Sequence, residues 1–463
     1  MTRGASSRSW LSALVLALVA ATAASAQSTP TEQKEPSTPI TAPTSLNPAA
    51  LPPPEGNVVK LGPTREIKLA DNTWVRFGFQ VQAWFKAGQD RILQANGSDG
   101  GYSFDFSCRR CRLFATGSVV KDVNFNILFE AGNLGSANAP PSATGAKNSP
   151  VPSMLDAYAQ VRFADFFYLS GGSILLPLTR NGTQPTTTYL SIDNANVDTT
   201  PVGQGNTNVL RDLGFLANGF LLADHLEYHL GVFQGTRAPA KTTQSAGHNP
   251  PRVVAALQYN LWDTEKGYVN GGHYYGAKKV LGAVGSFDYQ AARTADALPP
   301  PAAPGAGAGI PKDPYVGLSG AVFINYPLSG APDPKRGGDE LVGLLQVGYY
   351  DGGSKPAPTA NPGTYPAVLR QINFLAEGAY YNASLKFSVF GKYEMRKLDS
   401  MYPAATIALG NQTWIAGGLK YYVAPANLMN FAIQYERIQF PDALPTQQGG
   451  TNNVTLQMQL LLY

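Results

Sequence analysis

The stretch Thr73-Trp74-Val75-Arg76-Phe77-Gly78-Phe79-Gln80-Val81-Gln82-Ala83-Trp84-Phe85-Lys86 decides the fold, because its side chains change character with a period of two. Val75, Phe77, Phe79, Val81, Ala83 and Phe85 fall on one face, while Arg76, Gly78, Gln80, Gln82 and Lys86 fall on the other. Successive residues of a strand point to opposite sides, so this segment reads as a strand with one apolar and one polar face. The signature recurs at Val123, Phe125, Ile127 and Phe129 against Asn124, Asn126 and Glu130. It returns at Leu155 to Phe163 with Asp156, Gln160 and Arg162 opposed, and at Leu385 to Tyr393 with Lys386, Ser388 and Lys392 opposed.

Followed outward from Thr73, the pattern gives about sixteen segments of roughly ten to fourteen residues, each able to cross a bilayer as a tilted strand. They begin near residues 73, 104, 123, 154, 167, 210, 225, 251, 278, 314, 339, 369, 384, 412, 427 and 453. Their connections alternate in length. Those after odd-numbered segments are long and rich in Gly, Pro, Ser, Thr and Asn, as at 132–153, 235–250 and 351–368. Those after even-numbered segments are mostly short, such as Val120-Lys121-Asp122 and Leu222-Ala223-Asp224. Transmembrane barrels pair short periplasmic turns with long extracellular loops, so the expectation is an all-β, antiparallel transmembrane barrel with both barrel ends in the periplasm. Two even connections, 262–277 and 328–338, are too long for this rule.

Composition agrees. The 463 residues are 44% hydrophobic but only 14% charged, with 48 Gly and 44 Phe plus Tyr. A soluble β-sandwich also alternates, yet its solvent face would carry more charge; about a quarter of residues are charged in soluble domains. A barrel with one strand face in lipid and the other lining a polar lumen accounts for both observations. A formal net charge of +4 is too small to imply nucleic acid.

Before the barrel, Arg3 and Arg8 precede an apolar run from Trp10 to Ala21, and Ala24-Ser25-Ala26 supplies small residues at a cleavage position. Residues 1–26 read as a secretory signal, whose removal lowers the formal +4 to about +2. Residues 27–56 hold eight prolines among Thr and Ser and read as a periplasmic tether, a plain spacer or a contact with the cell wall. Residues 57–463 form the expected barrel. The chain closes on Val454, Leu456, Met458, Leu460 and Leu462, with the aromatic Tyr463 out of step with that apolar phase.

Several motifs with chemical associations are set aside. Cys108 and Cys111 lie three apart, which on a regular strand puts them on opposite faces with Cα atoms about 10 Å apart, beyond disulfide reach. They are expected to be small strand residues. His225 and His229, four apart, would be separated by about 13 Å on a strand and suit no metal. Pro304 to Gly309 lacks a following lysine and reads as loop. No cofactor or metal is expected.

The order of short motifs resembles the phosphate-selective porins O and P from about Trp74 to the C-terminus. They are Arg109-Arg110-Cys111-Arg112-Leu113, Asp156-Ala157-Tyr158, the Gly171-Gly172 run ending at Pro177, Arg211-Asp212-Leu213-Gly214, and Tyr228 through Gly235. The resemblance implies a sixteen-stranded barrel, usually a homotrimer, that passes small solutes across the outer membrane of a Gram-negative bacterium. Leu175, Leu176, Leu178 and Asn181 surround Pro177, where that family carries charges. In the lumen phase Arg76, Lys86, Arg110, Arg112, Arg162, Arg252, Lys386, Lys392 and Arg396 face Glu130, Asp156, Glu227, Asp288, Glu377 and Glu394, which is only mildly basic.

In general porins the loop after the fifth strand narrows the pore. Here that connection, 177–209, is rich in Thr, Asn, Gln and Gly, with Arg180, Asp193 and Asp198 as its charges. The expectation is a hydroxyl- and amide-lined constriction facing Arg110 and Arg112, weakly favouring anions such as phosphate while admitting neutral solutes. Its partners are membrane lipid and small hydrophilic solutes. Two other classes remain: a barrel enzyme, a phospholipase or protease, which would need a Ser, His and Asn or Asp cluster on the outer face or rim around a histidine such as His248 or His273, and a structural barrel tethered to the cell wall.

Overall fold

The computed structural model describes residues 66–91, 93, 101–136, 152–198, 210–235, 250–291, 314–329, 337–352, 368–402, 404–424 and 428–462. The expected signal and tether, and Tyr463, lie outside these residues. A short strand, β1 (Glu66–Ala70), precedes sixteen long ones: β2 (Thr73–Gln89), β3 (Tyr102–Val120), β4 (Val123–Leu134), β5 (Ser153–Ala164), β6 (Phe167–Leu175), β7 (Arg211–Leu221), β8 (Leu226–Phe233), β9 (Arg252–Asn260) and β10 (Val280–Gln290). The series continues with β11 (Tyr315–Pro327), β12 (Glu340–Asp351), β13 (Gln371–Asn382), β14 (Phe387–Leu398), β15 (Gln412–Ala424), β16 (Met429–Gln439) and β17 (Gly450–Leu462), with one helix, α1 (Ala404–Gly410), between β14 and β15.

Each of the sixteen pairs antiparallel with its neighbours in sequence, and β17 closes onto β2 from Asn453↔Gly88 to Leu462↔Phe79. The result is a closed sixteen-stranded antiparallel barrel, which removes the unpaired edges that lipid would not tolerate. The strand count and starts read from alternation hold; β1 is an addition. It pairs with the beginning of β2, Glu66↔Arg76, where β17 no longer reaches.

The outward face is apolar: Phe77, Leu113, Phe163, Phe215 and Leu230 are all more than half exposed. Such a surface suits the hydrocarbon of a bilayer. Between β3 and β4 the chain turns on Lys121 and Asp122, the latter left-handed at φ 64, and this short-turn end holds both ends of the barrel. Lys386, expected on the lumen face of a strand, lies instead in the turn before β14 with φ 55.

The lumen differs from the polar channel expected. Facing inward from β9 to β13 are Val254, Val280, Ala321, Phe323, Leu344 and Leu375, all buried. They are covered by the connection after β6, whose Ala195 and Val197 join Val280, Phe323, Leu344 and Leu375 in one apolar cluster. A second cluster puts Leu190 and Ile192 of that connection against Val342, Ala379 and Phe390. Burying these side chains stabilises the inserted loop, at roughly 25 cal/mol per Å² of apolar surface removed from water.

The first of the two overlong even connections has the same explanation. Residues 262–279 fold back into the barrel from the turn end, burying Tyr268, Val269, Tyr274 and Tyr275. The described end of the next even connection, 337–339, meets it, with the Gly338 N–H donating to Tyr275 O at 2.7 Å.

Candidate functional site: the lumen constriction

The described part of the loop after β6, 176–198, crosses the barrel interior and is tied to strands on nearly every side. Leu178 O accepts hydrogen bonds from Ser286 of β10 and Ser319 of β11. The Ser191 amide donates to Glu377 at 2.8 Å and the Val197 amide to Glu394 at 3.1 Å. Lys420 of β15 donates to the carbonyls of Tyr189 and Ser191 at 2.6 and 2.7 Å. The inward reading of this loop therefore holds for its described residues.

Hydrogen bonds join it to the turn-end insert in two places. Arg180 makes a double hydrogen bond with Glu265, at 2.7 and 2.9 Å, in a pair whose side chains are 2% and 1% exposed. The Gly272 amide donates to Thr188 Oγ1 at 3.1 Å. A Cβ on Gly272 would lie 2.2 Å from the Thr188 carbonyl oxygen, so only glycine permits this approach. Glu340 anchors the insert by accepting from the Tyr274 and Tyr275 amides and lying 3.2 Å from His273 Nδ1.

On the opposite side, β2 to β5 present the arginines. Arg110 donates to Gln82 at 2.7 Å and to Asp193. Arg112 donates to Glu130 through Nε and Nη2, at 3.1 and 2.8 Å, and to Thr186 Oγ1 at 2.8 Å. Thr186 in turn donates to Gln80 at 3.0 Å. Arg109, which sequence reading omitted, donates to Asp193 at 2.9 Å. Arg211, also omitted, pairs with Asp156 at 2.9 Å. Burial acts upward on the Asp193 carboxyl, but Arg109 and Arg110 outweigh it and hold the group well below the usual carboxylate range.

The structure thus gathers Arg110, Arg112, Glu130, Asp156 and Asp193, and separates the others. Arg180 and Asp198 do not face Arg110 and Arg112: Arg180 is consumed by Glu265, while Asp198 accepts from Gln346 at 2.7 Å and Thr179 at 3.0 Å on the packed side. Arg252 pairs with Asp288 and Asp212. Arg76 lies at the turn end beside Glu66, and Arg162 beside Asp122 and Asp165. Lys86 stands on the lumen face of β2 opposite Asp105. His229 sits inside the barrel against Glu227 at 3.1 Å, whereas His225 stays at the turn end, its Nδ1 2.6 Å from Asn260 O. His248 lies outside the described residues.

Cys108 and Cys111 contradict the expectation drawn for them. They form a disulfide with Cα atoms 6.3 Å apart. The regular-strand spacing fails because β3 bulges: Gln82 pairs with Arg110 and Ala83 with Cys108, leaving Arg109 as an extra residue. The bulge brings both sulfurs to one face and turns Arg109 toward the lumen. Its signal in the sequence is a change of phase, from Phe104 and Phe106 outward before it to Leu113 and Ala115 outward after it.

The fold is similar to that of solved outer-membrane proteins. Salmonella typhi OmpF, in complex with daunomycin, superposes with a TM-score of 0.53 at 11% identity, over 86% of this chain and 100% of the OmpF chain. Pseudomonas putida OprB gives a TM-score of 0.53 at 10% identity, over 84% of this chain and 94% of the other. These are likenesses of fold. No protein-family model and no curated protein sequence matches the chain.

Proposed function

We propose that the protein is an outer-membrane diffusion channel for small hydrophilic solutes, with passage along the arginine-bearing wall and a weak preference for anions. The reading rests on where water reaches the buried charges. Side chains of the Arg109–Asp193 pair are 23% and 24% exposed, and those of Arg112–Glu130 are 11% and 12%. The Lys392–Glu394 pair on the packed side is 2% and 0% exposed. A solute moving through the barrel therefore meets arginines, carboxylates and the Thr186 hydroxyl on one flank.

Charge arithmetic makes the preference weak. Arg109, Arg110, Arg112 and Arg211 are opposed by Asp193, Glu130 and Asp156, four positive groups against three negative. A single excess charge in a narrow passage of low dielectric biases ion flow without excluding counter-ions. Pairing each guanidinium with a carboxylate also leaves less donor capacity for a phosphate than a free arginine row would offer. On this reading the short turns, and both barrel ends, face the periplasm.

Reversal potentials across planar bilayers in a KCl gradient test the proposal. At about 0.1 M salt, where the screening length is about 10 Å, the wild-type channel should favour chloride a few-fold. The Arg110→Ala, Arg112→Ala variant should shift toward potassium. A cation-selective wild type, an unmoved variant or a barrel without conductance would each refute it.

A further inference from the structure

β3 breaks its alternation in mid-strand, at the residues closest to the constriction. In a regular strand Arg109 and Arg110 would point to opposite sides of the sheet. At the bulge both guanidiniums reach the Asp193 carboxylate, Arg109 through Nε and Arg110 through Nη2. The cysteines flank this pair directly. Cys108 stands opposite Ala83 and Cys111 opposite Val81, both members of the outward set, so the disulfide lies on the side of the sheet away from the lumen.

We propose that the Cys108–Cys111 disulfide is a positioning element of the constriction, a staple on the outer side that fixes the bulge and so holds Arg109 beside Arg110 on Asp193. The apolar phase alone sets the register of β3 before and after the bulge, since Phe104, Phe106, Leu113 and Ala115 must all stay outward. It does not fix the conformation of the two residues between. An extra residue in a bulge is unpaired on one side and has backbone freedom that its neighbours lack. Closing a four-residue ring around Arg109 and Arg110 removes alternatives in which Arg109 leaves Asp193. The disulfide touches no solute and acts through the arginine that it aims.

The inference rests on the channel reading, and the experiment separates the two. In bilayers, Cys108→Ala plus Cys111→Ala should shift the reversal potential in the same direction as Arg109→Ala, by a smaller amount, with the melting temperature little changed. Adding the cysteine changes to Arg109→Ala should produce no further shift, because the residue being positioned is gone. A Cys-free channel with wild-type selectivity, or one whose shift persists in full in the Arg109→Ala background, would overturn the proposal. If the wild-type barrel carries no current, the channel reading fails by itself. Hydrogen exchange of amides 107–112 then decides the staple: exchange faster by about tenfold in the Cys-free barrel supports it, and unchanged exchange overturns it.

Discussion

The two walls of the lumen follow opposite rules. From β2 to β5 the inward side chains are mostly polar, as at Gln80, Gln82, Arg112, Asn124, Asn126 and Gln160; the amides are buried, but the Arg109–Asp193 and Arg112–Glu130 pairs keep some contact with water. From β9 to β13 the inward face mixes Val254, Phe323, Leu344 and Leu375 with deeply buried polar groups such as Glu340 and Gln346, and the inserted loop covers it. One wall resembles the lining of a channel; the other resembles the core of a soluble protein. Charges tie the loop on both walls, but on the packed wall they are sealed off, whereas Arg109 and Arg112 also keep contact with water and, in the proposed channel, are the charges a solute would meet.

Breaking the pair that joins the two inserts should have the largest effect. Arg180→Leu leaves Glu265 buried without its guanidinium, and removing one partner of such a pair costs about 3–5 kcal/mol. The expected outcome is a clear fall in melting temperature in detergent, recovered in large part by adding Glu265→Leu. Arg162→Ala, which removes the partly exposed pairs with Asp122 and Asp165 at the turn end, should cost no more than about 1 kcal/mol. Equal losses at the two sites would mean that burial of the Arg180–Glu265 pair does not set it apart from an exposed pair.

A smaller effect is expected where the inserts touch through backbone. Gly272→Ala places a methyl against the Thr188 carbonyl, and overpacking of this kind costs about 1–3 kcal/mol. Gly391, with nothing within 4 Å of an added Cβ, supplies the control. Thermal unfolding of the two alanine variants should separate them, and conductance should rise only in Gly272→Ala as the inserts part.

How much of this was legible in the sequence follows from the same contrast. Strands bordered by lipid and a polar lumen alternate cleanly, so β2 and β4 could be read residue by residue. On the packed wall the alternation weakens. Leu341, Val342, Leu344 and Leu345 are apolar on both faces of β12, the pattern of a strand covered on both sides, and that pattern is the sequence trace of the inserted loop. The overlong connection at 262–277 is a second trace, with Tyr268, Tyr274 and Tyr275 too apolar for a solvated turn. Arg109 was missed because a period of two assigns it to lipid, and only the change of phase between Phe106 and Leu113 reveals the bulge. The pairings of Arg180 with Glu265 and of Arg211 with Asp156 could not be read, since each joins residues far apart in sequence through the curvature of the barrel.

The finest test of the contrast uses pH. Burial pushes the Asp198 carboxyl up to about 7, against the hydrogen bonds from Gln346 and Thr179, with Glu394 adding to the rise and Lys392 opposing it. Because the folded value lies above the ordinary one of about 3.9, the fold favours the protonated acid. That contribution is complete below pH 4 and is lost as pH rises through 7. The inserted loop should therefore be held more weakly at pH 8.5 than at pH 5.5, seen as greater current flicker and faster hydrogen exchange in 176–198. Asp198→Asn should reduce the dependence. The arginines of the open wall keep their charge across this range, so anion preference should stay constant while the flicker changes. A selectivity that moved together with the flicker would mean that the packed wall also faces the solute, and the division between the walls would fail.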